Sequence, residues 1–196
     1  MIEFKNVSFK YTGIGGSNGL VLNDISFSIQ PNESVAVIGS SGSGKTTLIQ
    51  HFTGLLKPET GSIVFEGQDI WKKKYSLSTL RRRIGIVFQF PESQLFEDTV
   101  NRDIAFGPRN LGISNNEIDN LVIESLKAVE LEPDDFMDRS PFRLSEGEKR
   151  RVAIAGVLAM NPDVIIFDEP TAGLDPQGVR KIGSIIQRQL QNGKTV

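Results

Sequence analysis

Apolar and polar residues alternate along two segments near the start of the chain, residues 2–11 and 22–30. Alternation with a period of two is typical of strands that bury one face and expose the other. Residues 12–19, which lie between these segments, are rich in Gly, Ser and Asn, and such residues favour turns. The pattern therefore predicts an antiparallel β layer over about residues 1–33.

After this layer, short apolar runs alternate with segments whose apolar residues have helical spacing. The expected strands are 34–39 (SVAVIG), 61–70 with its turn, 82–90 and 163–168. Within the segment 40–56, Leu48, Ile49 and Phe52 have helical spacing, and further helices are expected at 147–160 and 177–190. The β-branched run 34–39 is typical of a strand that is buried on both faces. Gly54 is expected to end the first helix. This alternation predicts a parallel α/β core over about 34–90 and 160–196.

The segment that follows Pro91 has a helical pattern instead. Ile118, Leu121, Val122 and Leu126 recur with helical spacing, so we expect a helical insertion over about residues 91–159. No repeat or linker divides the chain. The whole sequence, 1–196, is therefore predicted to form one α/β domain.

The composition excludes several classes of site. The chain has no cysteine and one histidine, so it cannot form a disulfide, a thiolate site or a histidine metal cluster. A net charge of −2 and a pI near 5.5 argue against a broad nucleic-acid-binding face, and no nucleic-acid partner is expected. No apolar run reaches the roughly 18 residues that would cross a bilayer, so a membrane role would require a partner.

A phosphate-binding motif follows the first expected core strand. It matches G-x-x-x-x-G-K-[ST], and its residues are Gly39, Ser40, Ser41, Gly42, Ser43, Gly44, Lys45 and Thr46. The glycines let successive N–H groups face phosphate oxygens, and the start of the next helix adds a positive dipole end. Lys45 can reach the β and γ phosphates and is a candidate catalytic residue, Thr46 can ligate Mg²⁺, and Thr47 is included in the nucleotide site.

Two acidic residues, Asp168 and Glu169, follow the apolar strand expected at 163–168. Paired ionised carboxylates at the edge of an apolar core are costly unless a cation or hydrogen bonds compensate for them. We expect Asp168 to hold Mg²⁺ through water, and Glu169 to orient or deprotonate the attacking water.

A third motif, residues 144–148 (LSEGE) followed by KRRVAIAGVLA, resembles the LSGGQ signature of ABC ATPases. Other marks of that family occur in order around it: Tyr11, Gln89 and residues 172–175 (AGLD). The resemblance covers residues 2–196 and implies the P-loop NTPase core of an ABC ATPase, with ATP and Mg²⁺ as cofactors. It further implies that Tyr11 stacks on adenine, and that Gln89 contacts Mg²⁺ and takes part in catalysis.

The family also implies a head-to-tail dimer, either of two copies or with a paralogue, in which ATP lies between the phosphate loop of one subunit and the signature of the other. Ser145 and the backbone N–H of Gly147 could then grip the γ-phosphate. Ser145 and Glu148 also have the spacing of a helix capping box, and both roles can hold at different stages of closure. Glu146 and Glu148 depart from the usual signature, and Glu146 could place a negative charge near ATP.

The stretch FQFPESQLFEDTVNRDIAFGPRNLG resembles the ATPase subunit of energy-coupling-factor transporters, the cobalt-type and vitamin importers of prokaryotes. This resemblance implies an integral-membrane coupling subunit, a separate substrate-binding membrane subunit, and a peripheral position on the cytoplasmic face of the membrane. We expect the surface after Gln89 to grip a coupling helix, with Glu92, Glu97 or Asp98 pairing with an arginine of that helix.

The switch histidine of the family follows a strand after the AGLD helix, and this chain stops at Val196 before that position. We interpret the sequence as a truncated form with little hydrolysis of its own, and expect the one histidine, His51, to be structural. Two alternatives stay open: a nucleotide-binding subunit that does not hydrolyse ATP, and an ABC ATPase that does not serve transport.

Overall fold

The computed structural model describes residues 2–11, 19–73 and 75–196, which form two compact units. The first unit contains the described residues up to Ile84 together with Thr195, and the second contains 85–194 together with Val196. Most of the turn expected at 12–19 lies outside the described residues.

The first unit is built on a four-stranded antiparallel sheet with the strand order β2-β1-β3-β4. Its strands and helices are β1 (Ile2–Phe9), β2 (Leu22–Ile29), α1 (Lys45–Phe52), β3 (Thr60–Phe65), β4 (Gln68–Asp69) and α2 (Leu77–Arg83). The predicted antiparallel pairing of the first two segments is confirmed, with Ile2 opposite Ile29. The sheet also takes in β3 and β4, so it extends past the boundary expected near residue 33.

Phe4 lies in the core of this unit. Its ring stacks on Phe27 with centroids 4.7 Å apart, and it packs against Phe52 of α1 at the same centroid distance. The apolar side of β1 is buried, because Ile2, Phe4 and Val7 are at most 2% exposed. Helix α1 therefore packs on the sheet through an aromatic cluster.

Two glycines bound α1. Gly44 precedes it with a φ of 95°, and Gly54 follows it with a φ of 63°. The N–H of Gly54 donates to the carbonyl of His51 at 3.2 Å. The helix end predicted at Gly54 is confirmed, because glycine adopts this left-handed backbone without the Cβ clash of other residues.

The buried strand predicted at 34–39 is wrong. In the described structure this segment has no strand pairing, and Val35, Val37 and Ile38 are 38%, 49% and 92% exposed. A strand needs a neighbour to accept and donate its backbone hydrogen bonds, and the sheet of this unit does not include the segment. Apolar composition alone therefore did not determine the conformation.

The second unit is largely helical. Its elements are β5 (Ile84–Val87, which starts at the last residue of the first unit), α3 (Val100–Asn110), α4 (Asn115–Ala128), α5 (Pro133–Phe136), α6 (Glu146–Leu158), β6 (Val164–Phe167) and α7 (Pro176–Gln191), with short 3₁₀ turns at Pro91–Gln94 and Pro141–Arg143. Strands β5 and β6 pair with each other. The helices expected at 147–160 and 177–190 are confirmed as α6 and α7.

The core of the second unit gathers residues from every long helix. Its fully buried members include Ile104, Val122, Leu126, Ile154 and Ile185. Helices α3, α4, α6 and α7 each follow a residue that favours helix starts: Thr99, Ser114, Ser145 and Asp175. The helical insertion predicted at 91–159 is thus observed as a helix-rich segment. No helix in the described ranges is both long enough and apolar enough to cross a membrane.

Candidate functional site

The phosphate loop, residues 39–46, lies in the first unit immediately before α1. Lys45 turns back over the loop, and its Nζ donates to the carbonyls of Gly39 at 3.0 Å and Ser40 at 3.1 Å. A Cβ added at Gly39 would meet Ser43 Oγ at 2.6 Å, so a larger residue here would require the Ser43 hydroxyl to rotate away. The loop is therefore a tight backbone curl with its lysine ammonium folded onto it.

At the start of α1, Tyr11 and Thr47 are in contact, with the phenol oxygen 3.2 Å from Thr47 Oγ1. The Tyr11 side chain is 47% exposed, and its ring packs edge-on against Phe9 with centroids 5.0 Å apart. The structure therefore brings together two residues that the sequence assigned to nucleotide binding. The exposed ring of Tyr11 is accessible for stacking.

His51 is buried on α1, and its Nδ1 lies 2.7 Å from the carbonyl of Thr47. Burial lowers the pKa of His51, although the hydrogen bond to Thr47 acts in the opposite direction. Its Nε2 has no hydrogen-bond partner among the described residues. A neutral, enclosed imidazole agrees with the structural role expected for this residue.

The acidic pair lies in the second unit at the end of β6. Asp168 is 4% exposed, and its N–H donates to the carbonyl of Val87 on β5 at 2.9 Å. Glu169 is exposed and has a left-handed backbone with a φ of 47°. Gln89 Nε2 donates to Glu169 Oε2 at 3.2 Å. Two of the predicted catalytic residues, separated by 80 positions in sequence, are thus in direct contact.

Arg150 is the functional candidate that the sequence reasoning missed. It lies on α6 and is only 4% exposed. Its guanidinium donates to both carboxylate oxygens of Glu92, at 3.0 and 2.8 Å, and to the carbonyls of Pro170 at 3.2 Å and Ala172 at 2.7 Å. The signal was its spacing, because Arg150 lies one helical turn before the buried Ile154, where a charged side chain needs a partner.

The Glu92 side chain is largely buried, at 12% exposure, and paired with Arg150. Burial raises the pKa of Glu92, but its hydrogen bonds and the positive charges of Arg150 and Lys149 outweigh this effect, and the pKa lies below its usual value. Glu92 therefore already has an arginine partner within the chain, whereas the hypothesis that Glu92, Glu97 or Asp98 pairs with an arginine of a coupling helix stays a prediction. Because both Glu92 oxygens already bind one guanidinium, an added arginine would share this carboxylate with Arg150 or compete with it.

Glu97 and Asp98 follow the 3₁₀ turn that contains Glu92 and lie just before α3. Asp98 is exposed and pairs with Arg102 at 3.6 Å. Next to them, the rings of Phe96 and Phe106 meet edge to face with centroids 4.8 Å apart, and they are 55% and 44% exposed. This aromatic pair is a partly exposed apolar surface with acidic residues beside it.

The signature begins α6 with a reciprocal capping box. Ser145 donates to the Glu148 carboxylate from both its N–H, at 2.8 Å, and its hydroxyl, at 2.7 Å. These hydrogen bonds lower the pKa of Glu148. Glu146 pairs with Lys149 at 2.7 Å, so both acidic departures from the usual signature have partners in the chain. Gly147 lies in the first turn, and no atom would lie within 4 Å of a Cβ added there.

The donor types fit ATP and Mg²⁺. A glycine curl with a lysine suits phosphate oxygens, and hydroxyl, amide and carboxylate oxygens are ligands that Mg²⁺ prefers. Within the part of the chain that the structure describes, no three His, Asp or Glu residues form a cluster that could hold a metal ion alone. A bound Mg²⁺ would therefore need phosphate oxygens and waters to complete its coordination.

Comparisons with known proteins agree with these features. The family model for the ABC transporter matches residues 22–172. A relative from Clostridioides difficile (strain 630), named energy-coupling factor transporter ATP-binding protein EcfA2, is 55% identical over 166 residues, which are 85% of this chain and 58% of the relative. The chain thus spans 58% of the length of that relative.

Solved structures resemble the chain as well. The structure of cbiO1 from Clostridium perfringens, described as part of the ABC transporter complex cbiONQ, matches with a TM-score of 0.87 and 39% identity over 99% of this chain and 75% of that chain. The ATP-binding cassette MJ0796, a dimer bound to ADP and Pi after hydrolysis, matches with a TM-score of 0.85 and 32% identity over 100% of this chain and 86% of that chain.

Proposed function

Because this chain belongs to the ABC transporter family, we propose that it binds and hydrolyses ATP to drive an energy-coupling-factor importer for a metal ion or a vitamin. The observation that carries this proposal is the phosphate loop at 39–46, where a tight backbone curl and Lys45 form an anion cradle. The similarity to EcfA2 supports the choice of transporter branch.

In this proposal the residues divide the chemistry between them. The phosphate loop and Lys45 bind the phosphates, and the exposed ring of Tyr11 supports the adenine. Thr46, Gln89 and, through water, Asp168 would hold Mg²⁺, which when bound neutralises charge on the phosphate oxygens. Glu169 orients the attacking water and accepts its proton, and its hydrogen bond from Gln89 fixes the carboxylate.

We further propose that a second ATPase subunit, a copy or a paralogue, completes the ATP site. Ser145 and Gly147 at the start of α6 would contact the γ-phosphate held by the partner. The dimeric MJ0796 structure supports this arrangement. An integral-membrane coupling subunit and a substrate-binding membrane subunit would complete the importer, with this chain on the cytoplasmic face of the membrane.

The surface around Phe96 and Phe106 suits the coupling subunit. Paired exposed aromatic rings with Glu97 and Asp98 beside them can bury the apolar face of a short helix and attract its basic residues. The complex cbiONQ, to which cbiO1 belongs, supports an assembly of this kind.

Two substitutions in the intact protein test the proposal. Lys45→Ala removes charge-assisted hydrogen bonds to phosphate and should weaken nucleotide binding by about tenfold or more. Glu169→Gln keeps the shape of the side chain but cannot accept a proton, so it should keep nucleotide affinity and lower turnover by roughly a hundredfold or more.

A fluorescent ATP analogue measures affinity, and phosphate release from the assembled importer measures turnover. Unchanged nucleotide affinity in Lys45→Ala would remove the phosphate-loop assignment. Turnover near the wild-type rate in Glu169→Gln would show that another group is the base.

A further inference from the structure

Arg150 connects two separate segments of the second unit. Its hydrogen bonds to Glu92 reach the 3₁₀ turn that follows Gln89, and its hydrogen bonds to the carbonyls of Pro170 and Ala172 reach the loop that follows Glu169. The same guanidinium lies 5.8 Å from the centroid of the ring of Phe90, the residue that directly follows Gln89.

These two segments have backbone conformations that need external support. Phe90, next to Gln89, has a φ of 54°, and Glu169 itself has a φ of 47°. A residue with a Cβ adopts this left-handed region at a cost of about 1 kcal/mol or more, and it stays there only where the surrounding structure offsets that cost. The four hydrogen bonds of Arg150 supply such a fixed frame on both sides of the contact between Gln89 and Glu169.

A role in stability alone does not explain this arrangement well. Desolvation of two charges offsets most of the attraction within a buried ion pair, so such a pair adds little net stability compared with apolar residues of the same shape. A bidentate, planar contact does specify relative position, because all its hydrogen bonds form in one geometry only.

We propose that Arg150, through its ion pair with Glu92, is a positioning residue for ATP hydrolysis that holds the segment carrying Gln89 against the segment carrying Glu169. This inference rests on the proposed function. Arg150 acts through Glu169, so its loss changes the rate of the chemical step and leaves the binding of ATP at the phosphate loop intact.

The test compares Arg150→Lys with Arg188→Lys in the intact protein assembled with its partners. Arg188 on α7 is a control for the charge and hydrogen bonds of an arginine, since it also donates to two carbonyls, those of Lys127 and Ala128, and contacts one carboxylate, that of Glu130, but its side chain is 42% exposed. Lysine keeps the charge at each position but cannot form the planar, forked set of hydrogen bonds.

We expect Arg150→Lys to lower kcat by about tenfold to a hundredfold, because a displacement of about 1 Å at a reacting group has effects of that size. The affinity for a fluorescent ATP analogue should stay within about twofold. Hydrogen–deuterium exchange should become faster in residues 89–95 and 168–174. Arg188→Lys should keep the wild-type kcat and change exchange only near 127–130.

A conservative second variant guards against misfolding. Glu92→Gln keeps the size of the side chain and one acceptor oxygen, and it should lower kcat in the same direction by a smaller factor. A kcat near wild type in both Arg150→Lys and Glu92→Gln, together with faster exchange in the two segments, would reduce the pair to a structural role and overturn the proposal.

The same experiment separates this inference from the proposed function. If the wild-type protein bound ATP through Lys45 and hydrolysed it, but the Arg150 and Glu92 variants did so equally well, only the positioning role would fail. If the wild-type protein neither bound nor hydrolysed ATP, the proposed function and the inference that rests on it would fail together.

Discussion

At the scale of single residues, the left-handed backbone of Glu169 has a direct chemical meaning. Its φ of 47° bends the backbone immediately after Asp168, just beyond the end of β6. Asp168 is buried, whereas Glu169 is exposed and accepts a hydrogen bond from Gln89. Two adjacent acidic residues therefore have different surroundings, as their proposed roles of metal ligand and general base require.

His51 is the one histidine of the sequence, so its effect on the pH dependence of stability can be tested with a single substitution. Its folded-state pKa lies below the unfolded value because burial disfavours the charged imidazole. Its stabilising contribution is complete above the unfolded pKa. As the pH falls from that value towards the folded pKa, the unfolded state takes up the proton first, and the free energy of unfolding decreases.

We therefore expect the thermal midpoint of the intact protein to fall more between about pH 7.5 and pH 5.5 than that of His51→Gln, which does not titrate. Thermal unfolding of both proteins across this range measures the difference. Parallel curves would show that His51 does not contribute to the pH dependence of stability.

At the scale of elements, two helices begin with the same capping box. On α4, Ser114 donates to Glu117 from its hydroxyl at 2.6 Å, and on α6, Ser145 donates to Glu148 from its hydroxyl at 2.7 Å. Only the second box lies in the signature. Comparing substitutions in the two capping boxes therefore distinguishes the effect of losing a helix cap from the effect of changing a proposed phosphate contact.

We expect Glu117→Ala and Glu148→Ala to lower the thermal midpoint by similar amounts, since each removes one reciprocal cap. Glu148→Ala should also strengthen ATP-dependent association with a second subunit severalfold, because it frees the Ser145 hydroxyl and removes a negative charge near the expected phosphate. Light scattering at increasing ATP concentration, in a Glu169→Gln background, measures this association. An equal effect of both variants on association would contradict the role given to Ser145.

The elements also show how far the sequence could predict this structure. Helices such as α6 and α7 were predictable because their caps and apolar spacing are local signals. The segment 34–39 was not, because its conformation depends on which strands lie beside it, and a single run of sequence does not reveal that.

The candidate site likewise contains residues that could be predicted from the sequence and residues that could not. The phosphate loop and the acidic pair are short motifs with a known chemical meaning, so their residues could be named in advance. The pair of Arg150 and Glu92 joins positions 58 residues apart and depends on the packing of α6 against the 3₁₀ turn. Spacing on α6 indicated that Arg150 needs a partner, but not which one.

At the scale of the whole molecule, the proposed importer requires a surface that transmits motion to the membrane subunit. Glu97→Arg or Asp98→Arg should weaken co-purification with the coupling subunit and lower transport, because like charges would face each other beside the Phe96 and Phe106 rings. Nucleotide affinity should be unchanged. Asp119→Arg, on the exposed side of α4, makes the same charge change as a control.

Co-purification, uptake of substrate into vesicles and nucleotide titration measure these three properties. Normal assembly and transport by both Glu97→Arg and Asp98→Arg would show that the coupling subunit docks elsewhere.

The exposed segment 34–39 also affects how the purified chain behaves at high concentration. These six consecutive residues lack charge and proline, three of them are β-branched, and in the described structure they are exposed and outside the sheet. A stretch of this kind favours pairing with the same stretch of another molecule in an intermolecular sheet. We therefore expect concentrated stocks of residues 1–196 to associate over time. Assays should accordingly use dilute, freshly prepared protein.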